Sequence, residues 1–429
     1  AAQRMQPLRP PFRKPTAMDE SALPALTHQV LWAAFGLAVL IGAVSQRTRF
    51  CTMGAVSDVY AMGDWRRARM WALAIAVAVL AFNGMAAMGL VNPADSIYTG
   101  PRLLWLSYLV GGLMFGFGMV LASGCGSKTL VRIGGGSLKS LVVFFVLAVA
   151  SYATLRGITA VARVASVDAV AITLPAGQDL PSLLAHASGW ATPSAALLLG
   201  ALIGGALIVF ALLHPDGRRG ETLLGGIGLG AVVVGVWWVT GRLGHLAEHP
   251  ATLEEVWLAT NTQRMESLTF VAPIAYTVDW LILFSDTSKT LTVGIVAVAG
   301  VVLGSAAVAL ATRSFRWEGF AGTEDTANHL VGANIGRLVV ANRSLENAQT
   351  LAERVGGQAI ELNDITHHLT KVDIVVTSTA SRLPIVTRGI IDVAMKQRGF
   401  DPMFIVDLAV PRDVEPSVGE LEDVYLYTV

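Results

Sequence analysis

The chain has 429 residues, 53% of them hydrophobic and 14% charged, with 31 basic against 31 acidic side chains and a mean hydropathy of +0.58. So much apolar content with so little charge excludes an ordinary soluble domain, and a net charge of zero offers nothing that would attract nucleic acid. The two cysteines, Cys51 and Cys125, are too few for a disulfide framework.

Residues 1–27 are polar and rich in Pro and Arg, without the apolar centre of a signal peptide, and read as a disordered tail. Apolar runs near the ~20 residues needed to span a bilayer then recur at about 29–46, 70–91, 103–123, 138–156, 193–213, 221–240, 268–284 and 291–312. The first and seventh are short, which suits a tilted, re-entrant or interfacial segment. Glycines crowd several runs, as in "LVGGLMFGFGMVLASG", and small residues let membrane helices approach closely. Arg66, Arg67 and Arg69 precede the second run, and Arg218 and Arg219 precede the sixth. Such clusters prefer the cytoplasm, as does the basic N-terminal tail. One crossing cannot separate two cytoplasmic segments, so either the first run does not cross or residues 47–62 dip back into the membrane. The small residues around Cys51 favour the dip. Glu266, Asp279 and Asp286 flank the seventh run as interfacial groups, leaving no intramembrane carboxylate for a proton relay.

Two stretches carry the chemistry, "RTRFCTMGA" (47–55) and "GMVLASGCGSKTLVRIGGGSLKS" (118–140). Each sets a cysteine near the end of an apolar run beside Gly and hydroxyl residues. Irregular backbone at membrane depth is tolerated only where it lines a cavity or is buried in protein, and a Gly-interrupted apolar segment is the mark of the broken helices of transporters. The N–H groups at such a break suit an anion, and a thiol adds a weak, soft donor. A lone cysteine in an apolar run is more often a small buried hydrophobe, and that reading stays open for Cys51. A phosphate loop is excluded because Lys128 stands two residues after Gly126 and six before Gly134.

After about residue 333 the texture changes. "RLVVANRS", "QAIEL", "DIVVTSTA" and "PMFIVDLAV" read as buried strands, with helical stretches such as "LENAQTLAERV" between them, a parallel α/β pattern. No linker of Pro, Gly or Ser marks the junction near 330–336. The domains read as a tail (1–27), a membrane domain (28–333) and a soluble α/β segment (334–429).

"RTRFCTMGAVSDVYAMGDWRRARMW", "LASGCGSKTLVRIGGGSLKSLVV", "ESLTFVAPIAYTVDWLILFSD" and "FRWEGFAGTEDTANHLVGA" together resemble the YeeE/YedE family of sulfur-transport membrane proteins. The resemblance covers roughly 28–333. It implies a mainly α-helical polytopic fold with inverted repeats and re-entrant helices, placed in the bacterial inner membrane. It also implies uptake of thiosulfate or a related sulfur anion without a cofactor, and a cytoplasmic sulfur-carrier protein as partner. Cysteines of that family are thought to relay the anion through S–H···S hydrogen bonds. Cys51 and Cys125 match two of them, and Ser127, Lys128, Thr129 and Arg132 would line or steer near the second. Lys128 and Arg132 serve equally well as interfacial cations facing headgroups. The family's third motif, of the form "GCTVGQG", is not found; the chain reads "NIGRLVVANRS" instead.

"LVVANRSLENAQTLAERVGGQAIEL", "DIVVTSTASRLPIV" and "MFIVDLAVPRDVEPSVGELEDVYLYTV" resemble the NADPH-binding domain of glutamyl-tRNA reductase, which implies a cytoplasmic C-terminal segment with an incomplete Rossmann-like fold. Arg343 then falls where a basic residue meets the 2′-phosphate of NADP, with Asn342 and Ser344 as neighbouring donors. Ser378, Thr379 and Ala380 fall beside the nicotinamide half. No first strand and no Gly-rich pyrophosphate turn precede "RLVVANRS", so NADPH affinity should be weak at best. The reductase's catalytic domain is lacking, and glutamyl-tRNA reduction is not expected. Three readings therefore stand: a transporter for sulfur anions, a membrane-tethered NADPH-linked reductase fragment of tetrapyrrole biosynthesis, and a chimera in which neither function is complete.

Overall fold

A computed structural model describes residues 20–318 and 336–428, apart from 380, 382, 410 and 411. The chain divides into two compact units between residues 319 and 320.

The first unit is helical. Its helices are α1 (Leu23–Thr48), α2 (Thr52–Met62), α3 (Arg66–Ala87), α4 (Trp105–Leu121), α5 (Gly126–Gly134), α6 (Leu138–Arg156), α7 (Ile158–Ala165), α8 (Leu180–Ser188), α9 (Thr192–Leu212), α10 (Gly220–Trp238), α11 (Val271–Ile282) and α12 (Val293–Ala311). A π-helical turn, Val239–Leu243, extends α10. Two short antiparallel ladders join β1 (Arg102–Leu103) to β2 (Ile172–Thr173) and β3 (His245–Leu246) to β4 (Val256–Trp257). Among the described residues seven helical stretches are long and apolar enough to cross a membrane: Leu23–Met62, Arg66–Ala87, Trp105–Gly134, Leu138–Arg156, Thr192–Leu212, Gly220–Leu243 and Val293–Ala311. The short seventh run is α11, whose 12 residues reach only ~18 Å.

The first run is longer than its apolar core suggests. Pro24 sits in the opening turn of α1, Thr27 Oγ1 donates to the Leu23 carbonyl, and Thr48 Oγ1 donates to that of Val44, so polar residues extend the helix at both ends. At 26 residues, or ~39 Å, α1 is long enough to cross a bilayer and ends where Arg49 turns left-handed at φ 52°. It begins beside Val236, Val239 and Val293, where α10 finishes and α12 starts. Its far end meets the start of α10, where Arg47 lies 3.9 Å from Glu221. Arg69 Nη1 donates to the Phe210 carbonyl and ties the start of α3 to the end of α9. The arginine-rich turns thus gather at one end of the bundle, opposite the start of α1. The stretch 47–62 breaks at Cys51 and continues as the short helix α2, which Arg67 holds to α3 through Asp58 at 3.2 Å.

Glycine sets the main helix contact. A Cβ on Gly42 would sit 2.1 Å from the Val301 carbonyl oxygen, and one on Gly304 would sit 2.0 Å from that of Val39, so α1 and α12 touch backbone to backbone. The core between α1, α5, α6, α10, α11 and α12 is filled by Leu130, Ile274, Val301, Phe144 and their neighbours. One order of elements appears twice: long helix, cysteine, short helix, long helix, as α1–Cys51–α2–α3 and again as α4–Cys125–α5–α6.

The second unit alternates β5 (Val339–Asn342), α13 (Leu345–Val355), β6 (Gln358–Glu361), α14 (Ile365–Leu369), β7 (Ile374–Thr377), α15 (Arg388–Arg398), β8 (Met403–Asp407) and β9 (Val424–Thr428). Ser344 caps α13 by accepting from Asn347 N, Gly356 ends it at φ 67°, and Ala348, Leu351, Ala352 and Val355 form its buried stripe. All strand pairs are parallel, but they form two separate sheets, β5–β6 and β7–β8–β9. In a dinucleotide-binding sheet the first strand lies at the centre, between the second and the fourth. Among the described residues of this unit no strand precedes β5. The pairs β5–β6 and β7–β8–β9 are consistent with the two sides of such a sheet.

Candidate functional site

The break between α4 and α5 builds the first thiol site. Gly124 N bonds the Met119 carbonyl at 2.9 Å and closes α4, while Ser123 (φ 54°) and Gly124 (φ 156°) turn the chain. A Cβ on Gly124 would meet Lys128 Cγ at 2.8 Å, so the Lys128 stem lies over the turn and glycine is needed there. Cys125 caps α5 in an extended conformation (ψ 176°), and its carbonyl accepts from Thr129 N at 3.0 Å and Thr129 Oγ1 at 3.2 Å. Its side chain makes no cap bond; the half-buried Sγ lies 3.1 Å from Ser127 Oγ. The N–H groups of Gly126, Ser127 and Lys128 open the helix without intrahelical acceptors.

A second helix start faces the first. A Cβ on Gly126 would lie 3.4 Å from Ile274 Cδ1 and 3.5 Å from Phe270 Cβ, at the beginning of α11. The N-termini of α5 and α11 therefore converge beside Cys125, and each presents the positive end of its dipole. Behind α5, Ser305 of α12 is fully buried, and its Oγ donates to the Val131 carbonyl at 2.6 Å.

Cys51 caps α2 in the same extended way but is 6% exposed, and its Sγ accepts from Gly54 N at 3.3 Å. A Cβ on Gly54 would fall 2.5 Å from Arg67 Nη1, so the Arg67 guanidinium rests beside this thiol. Lys128 lies within electrostatic reach of Cys51, Cys125, Arg67 and Arg132. The fold thus brings Cys51, Cys125, Ser127 and Lys128 into one region. Thr129 is buried and bonded to the Cys125 carbonyl, which makes it a structural member of the turn. Arg132 is exposed, further along α5.

Two charged residues carry more than their sequence pattern suggested. Arg67 reads as one of a cluster that fixes topology, and only the fold sets it against Gly54. Glu266 is half-buried within the protein: its carboxylate accepts from Asn261 N at 3.3 Å and Thr262 Oγ1 at 2.9 Å, and burial pushes it above its ordinary 4.5. Asp279 pairs with Lys289 at 2.6 Å, and Asp286 caps Ser288 N.

In the second unit Arg343 follows β5, is exposed, and reaches Ser381 Oγ at 3.1 Å. Asn342 accepts from Ser344 N, and Ser344 caps α13, so both have local tasks. Ser378 follows β7. The Thr379 hydroxyl and N–H are committed to the fully buried Asp413, at 2.6 and 2.8 Å. Ala380 lies outside the described residues. No group of three or more metal-ligating side chains occurs among the described residues.

Comparison with known proteins divides the chain in the same way. Residues 321–429 match the family described as shikimate / quinate 5-dehydrogenase. Over 106 residues the chain is 55% identical to glutamyl-tRNA reductase from Saccharophagus degradans and, likewise, from Methylococcus capsulatus, covering 25% of this chain and 25% of each relative. The chain therefore spans about a quarter of the length of these curated relatives. A solved structure of glutamyl-tRNA reductase from Methanopyrus kandleri is 36% identical over 25% of this chain and 28% of that one, with a TM-score of 0.24. Residues 47–335, two-thirds of the sequence, with both cysteine turns and the described helices that follow α1 in the first unit, match the family described as sulphur transport. A multi-pass helical unit with a broken helix at each cysteine fits that match, and the chain belongs to the sulphur-transport family.

Proposed function

We propose that the chain carries thiosulfate or a closely related sulfur anion into the cytoplasm of a bacterium, across the inner membrane. The observation that carries this reading is the half-buried Cys125 thiol at the meeting point of two helix N-termini. The N–H groups and dipoles there stabilise an anion, and the thiol offers a weak donor to a sulfur atom. Ser127 orients that thiol, Thr129 fixes its backbone, and Lys128 and Arg132 supply compensating charge towards Cys51. Arginines concentrate where α1 ends and α3 and α10 begin, and we take this as the cytoplasmic end by the positive-inside rule, which sets the start of α1 on the opposite side against the preference of the basic tail. Cys51 then lies on the exit side, where a sulfur-carrier protein would collect the cargo. α12 runs towards this same end, so the C-terminal segment follows on the cytoplasmic side. We place the join within 321–335, the stretch matched by both families, which includes the boundary at 333 and 334 read from the sequence. The test is growth and labelled uptake on thiosulfate in a sulfur-starved host lacking its own importer. Wild type should restore uptake and Cys125→Ala should not; uptake no better than with an empty vector refutes the reading.

The similarity to glutamyl-tRNA reductase supports a second, lesser activity, the weak binding of NADPH by the second unit. Arg343 is available to a 2′-phosphate, whereas Thr379 has no free hydroxyl to offer, and no pyrophosphate turn falls among the described residues. Fluorescence titration of the full chain with NADPH should show weak binding that Arg343→Ala removes; no binding by wild type refutes it.

A further inference from the structure

Arg47 and Arg49 at the end of α1, Arg67 of α3, and Lys128 and Arg132 of α5 line a single cavity of about 400 Å³. Among the described residues no carboxylate lines it. Arg67 is offset by Asp58 at 3.2 Å, and Arg47 by the more distant, exposed Glu221 at 3.9 Å. Among the described residues Arg49, Lys128 and Arg132 have no acidic partner. Phe50 walls one side and is held in place by stacking on Trp71, with ring centroids 4.7 Å apart.

Five cations from three helices around one hollow repel one another, and Arg47, Arg49 and Arg132 among them are exposed to solvent. Nothing in the core packing requires them there. Such a hollow is stable when a multivalent anion fills it. Guanidinium groups are the side chains best shaped for that task, because their planar fork matches the oxygens of a tetrahedral oxyanion. The position also has a direction. Lys128 stands at the thiol turn, while Arg47 and Arg49 stand at the arginine-rich end of the bundle.

We propose that this chamber is a second anion subsite, which holds the dianionic sulfur oxyanion by charge on the cytoplasmic side of the thiols. The proposal rests on the transport reading of Cys125 for its cargo, but not for its chemistry. The chamber recognises oxygens and charge, and the thiol turn recognises sulfur. Sulfate should therefore occupy the chamber as well as thiosulfate does, although the thiols would not pass it. An anionic lipid headgroup shares the chamber's chemistry, and the test separates the two sources.

The experiment is equilibrium binding of labelled sulfate and thiosulfate to the full chain in nanodiscs of zwitterionic lipid, at low and high chloride. Wild type should bind both, more weakly at high salt. The double variant Arg49→Gln/Arg132→Gln should lose affinity by roughly tenfold or more for each charge-assisted contact removed. The charge-keeping pair Arg49→Lys/Arg132→Lys should retain most of it, which separates lost charge from misfolding. Cys125→Ala should bind sulfate as wild type does. Unchanged sulfate binding in the Gln pair overturns the proposal, as does binding of neither anion in zwitterionic discs with occupancy by anionic lipid alone. Loss of uptake in Cys125→Ala beside unchanged binding in the Gln pair would sink the chamber and leave the transport reading standing. Normal uptake in Cys125→Ala beside lost binding in the Gln pair would do the reverse.

Discussion

Replacing Gly134 by Ala tests how closely α5, and with it Cys125, is held. The added Cβ would lie 2.5 Å from the Val302 carbonyl oxygen, 2.7 Å from Ser305 Cβ and 2.9 Å from Ala306 N. Two of these atoms are α12 backbone, so no change of rotamer relieves them. The two helices must part by about 0.5 Å to restore the 3.0 Å that real Cβ contacts keep. Overpacking of this kind costs about 1–3 kcal/mol, offset in part by the ~1 kcal/mol by which Ala favours a helix over Gly. Gly112→Ala on α4 is the matched control, since nothing lies within 4 Å of its Cβ and only the helix preference acts. The two variants should differ by on the order of 2 kcal/mol, a gap in melting midpoint of roughly 4–8 °C for a unit of this size. Thermal unfolding in detergent, followed by tryptophan fluorescence, measures the gap. Uptake should fall in Gly134→Ala and not in Gly112→Ala, because the displacement passes along α5 to its cysteine cap. If Gly134→Ala melts at or above the Gly112→Ala midpoint, the close contact of α5 with α12 is wrong.

Cys51→Ala should reduce labelled thiosulfate uptake less than Cys125→Ala does, because the Cys51 sulfur is occupied by the Gly54 N–H while that of Cys125 faces only the Ser127 hydroxyl; equal losses would show that both thiols touch the cargo directly. Glu266 has a raised folded-state pKa, so its share of stability is complete below about 4.5 and is lost as the pH rises through the folded value. Glu266→Gln keeps an acceptor for Asn261 N and cannot ionise, so its melting advantage over wild type should grow from pH 4.5 towards neutrality; a difference independent of pH refutes the assignment. Asp413→Asn turns an amide N–H₂ towards one of the two Thr379 donors and should destabilise the second unit by about 1–3 kcal/mol, seen as faster proteolysis within 336–428 of the full chain, while an unchanged cleavage rate would show that the Asp413 contacts carry no stability.

The membrane texture was legible because an apolar run is a local property, and all eight runs became helical stretches. The first was read too short. Thr27 and Thr48 look like boundaries until their hydroxyls are seen to bond the preceding turn of α1, which makes them tolerable inside it. The two cysteine breaks could be found from Gly and Cys alone. What no local pattern contains is the partner of each break. The facing of Gly126 and Phe270, and the placing of Arg67 over Gly54, arise from tertiary contacts between distant segments. In the second unit the strand–helix alternation was plain. The division into two sheets is a tertiary property that strand patterns do not carry, and Thr379 reads as a free cofactor contact only because its partner, Asp413, comes 34 residues later.

The backbone contact of α1 with α12 also bears on how the protein is made. More of α1 lies against α12 than against any other element, yet Gly42 and Gly304 are separated by most of the first unit. At about 5–20 residues per second, synthesis takes roughly 15–50 s to cover that interval. Throughout it the first helix stands in the bilayer with its glycine seam facing lipid or the insertion machinery. The nascent membrane unit is therefore a slow, late-closing assembly, and slower elongation should prolong the window in which a quality-control protease can seize it.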